Sequence, residues 1–269
     1  MLALIAGQGA LPGLLYAHLA AAGTAPVLAE LHDQPAGLPG PAIRFRLETF
    51  ATLLAALKER GVDQVCLAGG IARPSFDPGA VDPATRPLLP LIAKALQLGD
   101  DGALRVALGL FEDAGFAVRA AQDILPDLLP PPGVLSRRQP APTERTDARR
   151  GAAIINAMAA ADVGQSCVVS ASRALALEAT GGTDWMLASI GQDRRPDNSR
   201  GGILFKAPKV AQDRRVDMPA IGPATVSAVI RAGLTGIVIE AGGVLVLDLP
   251  ATRAAADRDN ILLWARPVE

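Results

Sequence analysis

The sequence has few of the residue types that most often carry metal or nucleophile chemistry. Its 269 residues include two histidines, two cysteines and 3% aromatic residues. Two imidazoles cannot form a zinc site of three histidines, and they argue against a Ser-His-Asp triad. Cys66 and Cys167 lie in apolar runs without a CxxC motif, which predicts buried free thiols rather than a disulfide framework. The length suits two domains better than one.

The chain also lacks an excess of charge of either sign. Its formal net charge of -1 argues against a general nucleic-acid binder, whose phosphate contacts need a basic excess. Residues 1–29 carry no formal charge, but they have no basic start and are interrupted by glycine and proline. This pattern predicts a strand, a turn, a helix and a strand rather than a signal peptide or a membrane span. We therefore expect a cytoplasmic chain that does not bind nucleic acid.

Lysine is scarce among the 26 basic residues. It occurs at Lys58, Lys94, Lys206 and Lys209, and the last two lie together in the heptapeptide FKAPKVA. Lysine is a compact point charge, whereas arginine is a planar fork. The pair indicates a place where a compact cation is needed, and chance or a solvated loop is the alternative.

Short apolar runs alternate with helix-like segments through the first half of the chain. The predicted strands are LALIA, PVLAEL, AIRFRL, DQVCLAGG and FAVRAA. Strands that alternate with helices need crossover connections, which produce a parallel sheet covered on both faces. We therefore predict an α/β protein with a Rossmann-like N-terminal domain.

A stretch rich in proline and arginine separates the two halves. Six prolines between residues 126 and 142 predict irregular structure that continues to about residue 150, and we place a domain boundary inside it, near residue 135. This gives a Rossmann-like domain over 1–135 and a second α/β domain, expected to be catalytic, over 136–269. The five arginines of 137–150 are interpreted as part of a solvated linker or as contacts to anionic lipid headgroups.

Two glycine-rich turns follow predicted strands of the first domain. GQGALPG follows the first strand and LAGGIARP follows the fourth. Carboxyl ends of parallel strands share one sheet edge, where open α/β sheets bind ligands and where glycines let backbone amides approach an anion. Gly9, Ala10, Gly69 and Gly70 are therefore candidate substrate contacts, and Arg73 is expected to point its guanidinium at the same edge. Ordinary tight turns and a surface arginine are the alternatives.

The first of these turns departs from the dinucleotide-binding fingerprint. The third glycine of GxGxxG falls at Pro12, although Glu30 ends the second strand, where a ribose-binding carboxylate would lie. An NAD(P)-dependent oxidoreductase therefore remains the second hypothesis. A non-catalytic protein that binds a sugar nucleotide or a lipid is the third.

In the second half, GGTDW precedes an apolar helix. Gly181 and Gly182 leave room for a ligand to reach backbone amides, and Gly182, Thr183 and Asp184 are candidate substrate contacts at the helix start. The alternative is that these two side chains cap the helix.

The densest group of charged residues lies in LFKAPKVAQDRRVDMPAIGPATV. It contains Asp217 and four candidate substrate contacts: Lys206, Lys209, Arg215 and Thr225. Cations close to one carboxylate suit phosphate chemistry, because the cations neutralise phosphate oxygens while the carboxylate holds a metal or orients water. Asp217 has apolar neighbours on both sides, which favours a catalytic role, and a structural salt bridge to an arginine is the alternative.

Seven segments, in order and across nearly the whole chain, resemble the LpxI-type UDP-2,3-diacylglucosamine pyrophosphatases of Gram-negative lipid A synthesis. The segments are IAGQGALP, LAGGIARP, GDDGALR, DVGQSCVV, LEATGGTD, FKAPKVAQDRRVDMPAIGPATV and GLTGIVIEAGGVLVLD. Each is modest alone, but the ordered set is specific.

The resemblance implies a substrate held in a cleft between two domains and cleaved to UMP and 2,3-diacylglucosamine 1-phosphate (lipid X). It implies a requirement for Mg²⁺, with Mn²⁺ as the alternative ion, and water directed at the phosphorus on the sugar side. The family's essential aspartate lies in a VDLPTIG-like motif that matches residues 216–222, so Asp217 is expected to be catalytic and to bind the metal. Gln165 in DVGQSCVV joins the expected substrate contacts.

The resemblance also implies partners. The substrate is a lipid-linked UDP-sugar, so the protein is expected to meet the inner membrane peripherally from the cytoplasm. A homodimer is left open.

Overall fold

The computed structural model describes residues 1–72, 74–98, 100–159, 161, 163–191, 201–209 and 213–268, with the backbone alone for Asp100 and Asp101. The chain divides into two compact units. The first comprises Met1–Pro126 and Asp213–Asp217, and the second comprises Asp127–Gln212 and Met218–Glu269.

The first unit contains a five-stranded, fully parallel sheet. Its strands are β1 (Leu2–Ala6), β2 (Val27–Leu31), β3 (Ala42–Phe45), β4 (Gln64–Ala68) and β5 (Ala117–Val118), in the order β3-β2-β1-β4-β5. Its helices are α1 (Ala10–Ala21), α2 (Phe50–Glu59), α3 (Leu89–Gln97), α4 (Asp100–Asp113) and α5 (Ala121–Ile124). The order reverses beside β1, so the turns after β1 and β4 lie side by side at the carboxyl edge.

The apolar runs of these strands form the core because they are buried from both sides of the sheet. Leu53 and Leu57 of α2 pack with Phe111 of α4 in this core, and Phe50 meets the Phe111 ring edge-on at 5.2 Å. Val216, from the short second segment of this unit, packs against the same cluster. The segment 213–217 is therefore anchored in the first unit by apolar contact as well as by charge.

The second unit is built on a six-stranded mixed sheet. Its strands are β6 (Gly133–Val134), β7 (Ser166–Ser170), β8 (Arg173–Leu177), β9 (Ile203–Lys206), β11 (Gly236–Glu240) and β13 (Leu262–Arg266), in the order β6-β13-β11-β9-β7-β8. The strands β9, β11 and β13 are parallel, whereas β7 runs antiparallel to β9. A separate ladder joins β10 (Ala220–Ile221) and β12 (Leu245–Val246).

Helices cover both faces of this second sheet. They are α6 (Pro142–Ala159), α7 (Gly182–Ser189), α8 (Pro223–Arg231) and α9 (Leu249–Arg258). Alternate residues of β9 face opposite cores: Leu204 joins one apolar cluster, whereas Ile203 and Phe205 join another together with Ile155 of α6. Within the described ranges, short 3-10 turns lie at Leu47–Thr49, Pro78–Ala80, Arg86–Leu88 and Pro126–Leu128.

The proline-rich stretch is more ordered than the sequence suggests. We predicted irregular structure to about residue 150, but α6 begins at Pro142. A proline at the first helical position needs no N–H partner. The Glu144 carboxylate accepts from the Ala141 N–H at 2.9 Å, which satisfies the backbone donor directly before the helix. The two units separate after Pro126, earlier in the chain than residue 135.

The predicted α/β class and the predicted buried thiols are confirmed. The protein is α/β, with a parallel first sheet and a second α/β unit. Cys66 and Cys167 are buried free thiols, and burial raises the pKa of each to about 12. Within the described ranges, the helices are too short or too polar to cross a membrane.

Candidate functional site

The two glycine-rich turns of the first unit are packed directly against each other. Gln8 forms an antiparallel bridge with Gly70, and the Gly7 N–H donates to the Ala68 carbonyl at 2.8 Å. A Cβ added to Gly7 would lie 2.5 Å from the Gly70 oxygen, and one added to Gly69 would lie 2.6 Å from the Gln8 oxygen. Gly7 and Gly69 are therefore required by the close approach of two backbones, whatever ligand the edge binds.

Two other glycines at this edge have open space in front of them. A Cβ on Gly9 or Gly70 would meet nothing within 4 Å. Gly9 has a φ of 99° and directly precedes α1, whose first residue is the exposed Ala10. Gly9, Ala10 and Gly70 remain candidate ligand contacts, and Arg73 lies outside the described residues.

Six of the predicted substrate contacts line one polar cavity of ≈ 350 Å³ within the second unit. These residues are Gln165, Gly182, Thr183, Asp184, Lys206 and Thr225. Gly181, which precedes Gly182 in the same glycine pair, also lines the cavity, and Glu178 and Ala220, which the sequence did not single out, complete the wall.

The topology of the second sheet explains why these residues meet. Lys206 is the last residue of β9, and Ser166 is the first residue of the antiparallel neighbour β7, so the two stand opposite each other in the ladder. Gln165 immediately precedes Ser166. Thr183 lies in the first turn of α7, and Thr225 lies in the first turn of α8. The starts of both helices therefore contribute to the wall of the same cavity. The Thr225 side chain caps its own helix by accepting from the Gly222 N–H at 3.2 Å.

A chain of hydrogen bonds runs along the wall of this cavity. The Lys206 ammonium donates to the Thr183 hydroxyl oxygen at 2.9 Å, and the Thr183 hydroxyl donates to Glu178 Oε2 at 2.7 Å. The Ser166 hydroxyl donates to the same carboxylate oxygen. Lys206 and Glu178 are each 7% exposed, so this is a nearly buried charged network.

Burial and charge act on Lys206 in opposite directions. Burial is the larger influence and lowers the pKa of its ammonium, while the carboxylates of Glu178 and Asp184 raise that pKa. The net direction is downward. An anionic ligand in the cavity would favour the protonated, charged form of Lys206. By reciprocity, the charged form of Lys206 would bind the anion more tightly than the neutral form would.

The segment 213–217 of the first unit is arranged differently. Arg215 forms a fork with Asp213, with Nε–Oδ1 at 3.0 Å and Nη2–Oδ2 at 2.8 Å, and a second ion pair with Glu112. The same guanidinium holds the pKa of the Asp213 carboxyl below its usual range. Gln122 donates to the Arg214 carbonyl at 2.9 Å, which ties the segment to the body of the unit. The Arg215 guanidinium, predicted as a substrate contact, is therefore already held by two carboxylates.

Asp217 ends this anchored segment. Its backbone N–H donates to the Asp213 carbonyl at 3.1 Å, and the residue is half-buried. Lys209, three residues beyond the end of β9, is also half-buried. The structure thus places Lys206 and Thr225 in the second unit, and Asp217 and Arg215 in the first.

Among the residues that the structure describes, no group of three or more histidine, cysteine, aspartate or glutamate side chains is arranged to hold a metal ion. The described side chains thus provide no ready-made cage for a cation.

Sequence reasoning did not single out Glu178 and Ser166. Glu178 lies directly after β8, in the LEATGGTD segment. A carboxylate at the end of an apolar strand, five residues before Thr183, was the sequence signal that could have identified it. Ser166 had no comparable signal, because its role depends on the pairing of β7 with β9.

Comparison with known proteins covers both units. Residues 1–128 match the family model of the LpxI N-terminal domain, and residues 131–264 match that of the LpxI C-terminal domain. The chain is 39% identical over 264 residues to the UDP-2,3-diacylglucosamine pyrophosphatase LpxI of Caulobacter vibrioides, which covers 95% of this chain and 94% of that protein. The chain belongs to the LpxI family.

Proposed function

We propose that the protein hydrolyses the pyrophosphate bond of UDP-2,3-diacylglucosamine and releases UMP and 2,3-diacylglucosamine 1-phosphate. The observation that carries the proposal is the nearly buried Lys206 ammonium on the wall of a polar cavity. A desolvated cation gains most from an anionic ligand, and a pyrophosphate carries its negative charge on several adjacent oxygens. The C. vibrioides relative, named for this substrate, supports the same reaction.

The side chains of the cavity suit a phosphate-binding role. Lys206 supplies a full positive charge, and Gln165 and Thr225 line the same cavity with further polar groups. Asp184 lies at the exposed rim, where a carboxylate can accept from sugar hydroxyls. Cation contacts that strengthen as charge moves onto the leaving oxygen lower the barrier to phosphorus–oxygen cleavage.

We assign Asp217 as the catalytic carboxylate. In this mechanism a water oxygen forms a bond to the phosphorus on the sugar side, and the bond from that phosphorus to the bridging oxygen breaks. UMP leaves with the bridging oxygen, and Asp217 accepts the proton of the attacking water. The anchoring of segment 213–217 by Arg215 and Val216 supports this role, because a positioned carboxylate is a more effective base than a mobile one.

We further propose Mg²⁺ as the cofactor, with Mn²⁺ as the alternative ion. Mg²⁺ is commonly held by one or two carboxylates together with substrate phosphate oxygens, so a single protein carboxylate and a pyrophosphate suffice. Asp217 is the carboxylate that we assign to it. The ion would neutralise charge on the phosphate oxygens during cleavage.

The setting of the enzyme follows from its substrate. Acyl chains keep the substrate in a membrane, so we propose peripheral contact with the cytoplasmic face of the inner membrane of a Gram-negative bacterium. The strand order of the first sheet supports the proposal that the first unit is Rossmann-like.

The decisive test is product analysis after incubation of the purified protein with UDP-2,3-diacylglucosamine and Mg²⁺ in ¹⁸O-labelled water. We expect UMP, and 2,3-diacylglucosamine 1-phosphate that carries the label. Label in UMP would move the attack to the other phosphorus. Binding without products would favour a sensor, and NAD(P) binding without hydrolysis would favour an oxidoreductase; either result would overturn the proposal.

A further inference from the structure

The hydrogen bonds around Glu178 have only one possible direction. An ionised carboxylate can only accept, and an ammonium can only donate. The Thr183 hydroxyl therefore gives its single proton to Glu178 at 2.7 Å, and its lone pairs accept from Lys206 at 2.9 Å. Because the Ser166 proton also goes to Glu178 Oε2, the carboxylate fixes the orientation of both hydroxyls.

Without this carboxylate the Thr183 hydroxyl would lose its preferred orientation. Its proton could then turn toward Lys206 and repel the ammonium instead of accepting from it. The oxygen of Thr183 lies 3.3 Å from that of Ser166, so the two hydroxyls would also compete for one proton position. The position of the Lys206 ammonium therefore depends on Glu178, to which it is linked through the Thr183 hydroxyl.

The charge of Glu178 acts in the same sense as its hydrogen bonds. Among the residues that the structure describes, the charged groups that act on Lys206 are Glu178, which is nearly buried after β8, and Asp184, which is exposed on α7. Lys206 is nearly buried, and its burial favours the neutral amine. A buried carboxylate is less screened by solvent than an exposed one, so Glu178 is the main group that keeps the amine charged.

We propose that Glu178 is a positioning residue, which orients Thr183 and thereby holds a charged Lys206 against the cavity, ready to bind a phosphate oxygen of the substrate. The identity of the ligand as a phosphate oxygen of the substrate rests on the proposed function. The link from Glu178 to Lys206 rests on the geometry of the second unit and can be tested without substrate.

The first experiment measures the ionisation of Lys206 directly. The protein has four lysines, so the side-chain NMR spectrum of lysine-labelled protein is simple, and the signal missing in Lys206→Arg assigns Lys206. We expect Glu178→Gln to move the titration midpoint of this amine about one pH unit lower. Asp184→Asn should move it less, and Glu59→Gln, an exposed carboxylate on α2, should not move it.

The second experiment measures hydrolysis against pH. The alkaline limb of kcat/KM should move to lower pH in Glu178→Gln by the same amount as the NMR midpoint. At a pH above the new limb, the loss should be about tenfold, and it should appear mainly in KM. A residue with only a structural role would lower activity equally at every pH.

Thr183 provides a second route to the same test. Thr183→Val removes the relay while leaving the Glu178 charge in place, and Thr183→Ser restores the hydroxyl. We expect the valine variant to raise KM about tenfold and the serine variant to recover most of that loss. This pair decides the proposal if Glu178→Gln does not fold.

The outcomes separate the two proposals. A shifted Lys206 midpoint in a protein that does not hydrolyse the substrate would overturn the proposed function and support the positioning role. An unshifted midpoint and an unchanged pH profile in a folded, active Glu178→Gln variant would overturn the positioning role alone. A serine variant no better than valine at Thr183 would also count against it.

Discussion

Lys206 in the second unit and Arg215 in the first belong to the same cation-rich stretch of sequence, but the structure treats them in opposite ways. Lys206 is 7% exposed and donates one described hydrogen bond, to Thr183. The Arg215 side chain is 42% exposed and binds the carboxylates of Asp213 and Glu112.

This difference shows which of two cations is prepared for a ligand. Asp213 and Glu112 already neutralise Arg215, and an ion pair at this exposure contributes little to binding or to stability. In the part of the chain that the structure describes, Lys206 exchanges water for the Thr183 hydroxyl and the field of nearby carboxylates, so this buried ammonium gains more from an anion in the cavity than Arg215 does. The predictions below test whether Lys206 serves substrate binding through its charge while Arg215 serves only the stability of its segment.

The largest effect is expected when the divalent cation is removed. If Lys206 alone neutralised the pyrophosphate, the enzyme would turn over in excess EDTA. We expect hydrolysis to fall below detection there and to return with Mg²⁺ or Mn²⁺, because the described lining of the cavity offers one basic side chain, Lys206, for several phosphate oxygens. The measurement is UMP release by chromatography. Full turnover in EDTA would reject the cofactor proposal.

Asp217→Ala is expected to have the next largest effect. This residue ends the segment that Arg215 anchors, and loss of a catalytic carboxylate should reduce kcat about 10² to 10³-fold. The fold and substrate binding should survive, so melting temperature and the substrate-induced thermal shift should stay close to wild type.

Asp213→Asn is the matched control, because it changes a carboxylate of the same segment that serves Arg215. It should retain most activity. A large fall in the melting temperature of Asp217→Ala, with activity surviving at low temperature, would move Asp217 from catalysis to structure.

Lys206→Ala should weaken substrate binding about 10- to 100-fold, because it removes a charged hydrogen-bond donor from the cavity. Lys206→Arg should recover only part of this loss. A planar fork has a different reach and does not fit a position shaped for a point charge beside Thr183. KM and a direct binding measurement provide the check. An arginine variant equal to wild type would show that charge alone matters there.

Arg215→Ala should have the smallest effect. Its ion pairs are exposed, so their loss should lower the free energy of unfolding by no more than about 1 kcal/mol and activity only a few-fold. The difference should depend on pH. Since the folded pKa of Asp213 is depressed, the stability from this pair is fully present above 3.8, the ordinary pKa of the group, and is lost gradually as pH falls from there through the lower folded pKa.

Urea unfolding of both proteins at pH 7 and near pH 3 measures this difference. The difference in the free energy of unfolding between wild type and Arg215→Ala should be smaller at the lower pH. A large loss of activity in Arg215→Ala at pH 7, without loss of stability, would make Arg215 a substrate contact after all and would remove the contrast with Lys206.

Much of the fold could be predicted because its signals are local. Apolar runs such as LALIA and DQVCLAGG became β1 and β4, and their alternation with helices required the parallel sheet that the structure contains. The start of α6 could not be predicted, because six prolines in the sequence conceal that Pro142 occupies the one helical position that tolerates it. Glycines at turns were recognised, but the sequence does not tell Gly69, needed for backbone contact, from Gly70, which has open space before it.

By itself, the sequence determined the order and type of most elements, the absence of a disulfide framework and the cluster of charged residues near Asp217. These follow from periodicity and composition, which act over a few residues. Only the tertiary structure decided which cation is buried and which is neutralised. Arg215 meets a carboxylate 103 residues away in Glu112, and Lys206 meets Ser166, Glu178 and Thr183 because β7, β9 and α7 converge at one sheet edge. The strength of a charge depends on its solvent exposure and its partners, and long-range packing sets both.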